Sequence, residues 1–137
     1  MSSDVFIDSS GYFAVLNLRD ARHNEAREIL TQLSARRRRA VTTEYILDET
    51  ATLLRARGHV DYAAMLLEDL RHSTACQVLH VTTDHFNQAA DMFLKYRDQD
   101  FSFTDCVSFV VMRELGLHDA LTSDQHFRIA GFHPLLG

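Results

Sequence analysis

Short continuous apolar runs, each followed by a helix-length segment, constrain this chain more than any other feature. Val5–Ile7 is the first, with apolar residues in succession rather than in alternation with polar ones. A strand apolar on both faces must be covered on both faces. Comparable runs fall at 40–42, 77–81, 120–122 and 132–136. Helical patterns lie between them, at about 11–18, 21–35, 60–71 and 84–96, with a short turn at 125–129. One further helix follows Thr43, a suitable N-cap, and stops before Gly58. Asp84 is placed to cap the helix that reaches Tyr96. Strands alternating with helices predict an α/β fold, a parallel sheet with helices on both faces.

The segment 105–115 reads as a helix apolar almost all the way round, closed by Gly116. Such a helix belongs in the interior, yet Asp105 sits in its first turn. Ser102 and Asp105 have the spacing of a capping box, and a carboxylate is favourable at the positive helix end.

The 137 residues suit one domain over 1–137, and the 46% apolar content is enough for a core. One proline and five glycines leave little for a long linker. The longest apolar run, 106–112, is far too short to cross a bilayer. The opening MSSDVFID lacks the basic start and apolar stretch of a secretory signal. Cys76 and Cys106 are too few for a disulfide framework or a zinc site. A reduced, cytoplasmic setting away from membranes is the expectation.

The net charge is −5, so bulk electrostatics does not draw the chain to nucleic acid. Phosphate binding then needs a basic patch or a bound cation. The basic residues are mostly arginine, with Lys95 the single lysine. Its position within a helical pattern argues against a phosphoacceptor site, which needs a lysine beyond a late strand.

Functional groups in parallel α/β sheets collect beyond the carboxyl ends of the strands. Asp8 directly follows the first strand, and Asp124 lies just past the fourth. With Asp105 they bring three carboxylates towards one edge. Each alone is explained by helix capping or an Asx turn. Capping does not explain why all fall at the same edge. The helix containing TTEYILDET adds further acids. At about 100° per residue, Glu49 flanks one margin of its apolar face, and Asp48 and Glu44 the other. Periodicity leaves the choice between Glu49 and Asp48 open. Clustered carboxylates stay ionised only with cations nearby, and hard oxygen donors select Mg²⁺ or Mn²⁺. The chemistry this suggests is metal-assisted phosphodiester hydrolysis.

Four motifs, VFIDSSGYFAV, TTEYILDET, FSFTDCVSF and LTSDQHFRIAGF, resemble in order and spacing those of PIN-domain nucleases, and most nearly the VapC-type toxins of toxin–antitoxin pairs. The resemblance spans nearly the whole chain. It implies a three-layer α/β/α sandwich around a central, mainly parallel five-stranded sheet. It also implies an Mg²⁺-dependent endoribonuclease, with Mn²⁺ as a substitute, acting on RNA and paired with an antitoxin. Homodimers are common among such toxins. By motif, the metal-binding and catalytic acids are Asp8, Glu49, Asp105 and Asp124, with Thr104 in a supporting role. An RNA-processing nuclease outside a toxin–antitoxin pair and a non-catalytic binding module are the alternatives.

Other residues carry weaker expectations. Ser9 and Ser10 either support the cluster or begin a helix. Arg36, Arg37, Arg38 and Arg39 contact RNA or an acidic antitoxin segment, or form a solvated helix end. His126, two residues past Asp124, contacts RNA or moves protons, or is structural. Asp98 and Asp100 precede the third motif and read as a solvated loop.

Overall fold

The computed structural model describes residues 3–137. Its elements are β1 (Val5–Ile7), α1 (Ser9–Leu16), α2 (His23–Ala35), β2 (Ala40–Thr43), α3 (Glu44–Ala56), α4 (Val60–His72), β3 (Cys76–Leu79), α5 (Thr83–Lys95), α6 (Phe103–Leu115), β4 (Asp119–Leu121), α7 (His126–Ile129) and β5 (His133–Pro134). The five strands pair in parallel in the order β3-β2-β1-β4-β5. The chain winds outward from β1 to β3, then returns to place β4 on the other side of β1. That reversal creates a crevice between the carboxyl ends of β1 and β4.

The helices form two layers. α1 packs against α2 and α3, and α3 against α4; α5 and α7 both pack on α6. Right-handed crossovers require this split, because the connections run in opposite directions on either side of β1. β1 is buried at every position, as its unbroken apolar run requires. Gly11 brings the layers together near the crevice. A Cβ there would lie 2.2 Å from the Leu121 carbonyl oxygen, so only glycine lets α1 lie this close to β4.

α6 is buried from Asp105 through Met112, and it ends on Gly116 at φ 68°. The left-handed conformation there suits glycine. Phe109, fully buried, meets Phe101, Phe127 and Phe132 with ring centroids 5.2, 5.0 and 5.7 Å apart. Phe127 in turn faces Phe6 of β1. One aromatic cluster therefore ties α6 to α7 and to the central strand.

Most element boundaries shift by one or two residues from the sequence expectation, and three of the differences have a clear physical reason. β3 covers Cys76–Leu79 rather than 77–81. Beyond it the Glu44 carboxylate accepts from the Val81 amide at 2.6 Å and meets His80 Nδ1 at 2.9 Å, which diverts the backbone from the ladder. α5 is capped by Thr82, not Asp84, in a reciprocal box with His85. Asp84 instead accepts from Gln88, one turn further on. β5 is only His133–Pro134 rather than 132–136, although the Leu135 and Leu136 amides still donate to the carbonyls of Ala120 and Thr122. Pro134 has no N–H to contribute to that ladder. No helix of the described residues is long and apolar enough to cross a membrane.

Phe109→Ala removes the centre of the aromatic cluster. It is expected to lower the unfolding free energy by about 3–5 kcal/mol. Urea denaturation followed by circular dichroism measures the change.

Candidate functional site

Asp8 leaves β1 at the crevice and is buried. It occupies the N-cap position of α1, but its side chain makes no capping hydrogen bond. Its Oδ2 accepts instead from Thr122 Oγ1 at 2.8 Å and Ser10 Oγ at 3.3 Å. Thr122 also accepts from the Asp124 amide at 3.0 Å. A single hydroxyl thus couples the acid of β1 to the loop after β4. Ser10 Oγ lies 2.9 Å from Thr122 Oγ1 and accepts from the Ser123 amide at 3.1 Å, closing the network.

Glu49 projects from α3 to the same crevice, where Ser9 Oγ donates to its Oε1 at 2.6 Å. Asp48 is exposed. Of the two acids that periodicity leaves open, Glu49 is the one bonded at the crevice. Asp105 keeps its capping role: its Oδ2 accepts from the Ser102 amide at 3.0 Å, while its own amide donates to Ser102 Oγ at 3.0 Å. The box holds the carboxylate at the rigid head of α6. Asp124 Oδ1 accepts from the His126 amide at 2.9 Å and lies 3.0 Å from His126 Nδ1. His126 Nδ1 is also 3.7 Å from Asp105 Oδ2, and the Phe101 ring meets the imidazole edge-on.

The charges interact. Burial, above all, pushes the Asp8 carboxyl up to about 7; hydrogen bonds from Thr122 and the Ser9 backbone oppose the shift, and repulsion from Asp105 and Glu49 adds to it. Asp105 is also raised, first by burial and further by Asp124, against the Ser102 backbone bond and His126. Asp8 thus feels Asp105 and Glu49, and Asp105 feels Asp124. Ligand atoms of Asp105, Asp124 and His126 lie within 4.8 Å of one another. The carboxylate oxygens of the cluster fit a divalent cation of the Mg²⁺ or Mn²⁺ kind, which would relieve this repulsion.

The remaining candidates separate clearly. Thr104 neighbours Asp105, and its carbonyl accepts the Ser108 hydroxyl. Hydroxyls that do donate to site carboxylates include those of Ser9, Ser10 and Thr122. Asp98 and Asp100 are exposed. Arg36, Arg37, Arg38 and Arg39 precede β2, so they lie at the amino edge of the sheet, opposite the acids. Arg38 pairs with Asp119 at 2.8 Å and donates to the Ser3 carbonyl; Arg39 pairs with Asp4 at 3.5 Å. Thr122 was not singled out from the sequence, although its place two residues before Asp124 is where a strand-end hydroxyl would brace the loop.

This fold with this edge of acids defines a class. The chain belongs to the PIN domain family, whose model matches residues 5–132. Among individual proteins, it is 36% identical over 129 residues to the 23S rRNA-specific endonuclease VapC20 of Mycobacterium tuberculosis, covering 93% of this chain and 95% of that one. The crystal structure of VapC20, described as a sarcin–ricin loop cleaving toxin, superposes with a TM-score of 0.83 at 35% identity, over 94% of this chain and 96% of that one. A VapC ribonuclease of Archaeoglobus fulgidus is 29% identical over 113 residues, 81% of this chain and 71% of its own. A toxin–antitoxin complex from Klebsiella pneumoniae shares the fold at 11% identity, with a TM-score of 0.61 over 89% of this chain and 88% of that one.

The Asp8 shift has a consequence for stability. A pKa raised on folding means that the native state holds the proton more tightly than the unfolded chain. The stabilisation is complete below the ordinary aspartate pKa and is lost as pH rises through about 7. In metal-free protein, Asp8→Asn is therefore expected to melt several degrees above the wild type at pH 8, with the gap narrowing by pH 5. Differential scanning fluorimetry at the two pH values reads the difference.

Proposed function

We propose that this protein is a metal-dependent endoribonuclease and the toxin of a VapBC-type toxin–antitoxin pair. The observation that carries the reading is the convergence of Asp8, Glu49, Asp105 and Asp124 at the β1–β4 crevice. Each acid is held by a separate element, and their mutual repulsion calls for a cation. Identity to VapC20 along nearly the full length of both chains supports the same reaction class. The substrate is RNA, and a hairpin of 23S rRNA is the first to test.

These four acids would hold Mg²⁺, or Mn²⁺ in its place. The bound ion supplies positive charge for the phosphodiester and acidity for an attacking water. The protein's own part is positioning. Ser9 fixes one Glu49 oxygen and Thr122 one Asp8 oxygen, so neither carboxylate is free to turn away. The capping box fixes Asp105, and His126 orients Asp124. The head of α6 directs its positive dipole end at the cluster and favours the anionic form of Asp105.

The antitoxin has a suitable surface elsewhere. A cavity of about 540 Å³ is lined by apolar residues, among them Leu33, Leu66 and Leu70, and by Arg37, Arg38 and Arg39. A segment bearing apolar and acidic side chains matches that chemistry.

With purified protein freed of any partner, cleavage of 23S rRNA is expected only with Mg²⁺ or Mn²⁺. It is expected to disappear in Asp8→Asn and Asp105→Asn. Thr122→Val removes the brace on Asp8 together with the acceptor for the Asp124 amide, and should cost roughly 10–100-fold. Undiminished cleavage by both aspartate variants would show that the site is assigned wrongly.

A further inference from the structure

A second group of ligand-bearing side chains lies at the opposite end of the sheet, at the amino ends of β4 and β5. The strand register places Asp119 opposite His133, so their side chains leave the sheet on one face. His133 Nδ1 is 3.1 Å from Asp119 Oδ1. His118 directly precedes β4, and its carbonyl accepts the His133 amide at 2.9 Å. The two imidazoles stack at 28° with centroids 6.0 Å apart. One donor atom from each of the three residues lies within 4.8 Å of the other two.

The carboxylate is prepared to act as a ligand. Arg38 binds Asp119 Oδ2 at 2.8 Å, which fixes the group and leaves Oδ1 turned to His133. Burial pushes the Asp119 carboxyl up, but the bonds from Arg38 and His133 outweigh it and hold the group below the usual carboxylate range. It is therefore an anion across the physiological range. His118 and His133 are both exposed, so an ion has free access and the rings have room to turn.

We propose that His118, Asp119 and His133 form a second cation site, built for Zn²⁺ rather than for Mg²⁺. Two imidazoles and one carboxylate are the donors of a borderline ion, whereas Mg²⁺ keeps to oxygen. Three protein ligands leave a fourth position for water or an outside group. The structural consequence is a staple. β5 is a two-residue strand at the sheet edge, and its proline lacks an amide to pair. Zinc at this site would clamp β5 and the segment before β4 to each other, outside the nuclease centre and without regard to its reaction. The neighbouring Arg38 charge opposes a cation, so binding is weaker than in a closed structural zinc site.

The test is Zn²⁺ titration of the metal-free full chain by calorimetry, carried out in Asp105→Asn protein so that the acid crevice contributes little. One zinc equivalent is expected. His118→Ala and His133→Ala, each added to that background, should weaken binding by roughly tenfold or more. Zn²⁺ should raise the melting temperature of the Asp105→Asn protein in a concentration-dependent way, and Mg²⁺ should not. Should an alanine variant fold poorly by circular dichroism, His133→Gln serves in its place. Zinc binding that is absent from the Asp105→Asn protein, or unchanged by loss of either histidine, would overturn the proposal. The trio would then be an ion-pair network completed by Arg38 alone. Neither result bears on whether the acid crevice cleaves RNA.

Discussion

The pairing of β1 with β4 is the constraint on which the site depends. These strands are separated by more than a hundred residues, and their register sets Phe6 beside Ala120 and Ile7 beside Leu121. The next residues on each strand reach the crevice together, which is why Thr122 can hold Asp8. Gly11 contributes from the helix side, since any larger residue would drive α1 off the Leu121 carbonyl. The aromatic cluster around Phe109 then presses α6 onto the same pair of strands, so its first turn delivers Asp105 to the edge already occupied by Asp8. The arrangement of the acids is thus a property of the sheet and its two helix layers rather than of flexible loops.

That arrangement is electrostatically costly. A buried carboxyl driven up to about 7 by desolvation and by its neighbours is a group the fold holds against its preference. The hydroxyls of Ser9, Ser10 and Thr122 offset part of the cost by donating to the carboxylates. Helix starts offset another part, because Asp8 and Asp105 sit at the heads of α1 and α6, where the backbone carries partial positive charge. For Asp105 the capping box and the site role do not compete. One oxygen is held by the Ser102 amide, and a carboxylate has further lone pairs to offer.

Asp105 was legible in the sequence because its cap is local: Ser102 and Asp105 are three residues apart, and the apolar helix that follows fixes the boundary. The strand ends that carry Asp8 and Asp124 were legible for a similar reason, since short apolar runs mark them. Periodicity does not separate Glu49 from Asp48, because both lie near the margins of the apolar face; the motif resemblance selects Glu49, and Ser9 meets it across the crevice. Thr122 as a brace, His126 as a partner of two acids, and the trio at the far edge depend on pairings between strands or loops that no local pattern encodes. The end of β3 is not encoded locally, because Glu44, a residue of another element, captures the Val81 amide. The cap of α5 lies two residues before Asp84, since Thr82 and Asp84 are both good N-caps and only the reciprocal bond with His85 selects the first.

Strand direction also separates the charges of this molecule. Acids gather at the carboxyl edge, while the arginine run before β2 lies at the amino edge, partly engaged with Asp4 and Asp119. A phosphate approaching the crevice therefore meets clustered carboxylates, with Arg22 and Arg57 lining a pocket beside Ser9 and Ser10, in a chain whose net charge is already −5. Helix dipoles contribute only about half a charge each, and that cannot neutralise the cluster. In the proposed reaction a bound cation would ease contact with a phosphodiester at this edge. In that proposal the metal answers the electrostatics of the cluster as well as the chemistry. The same separation sets the arginine edge, partly held by Asp4 and Asp119, apart from the acids.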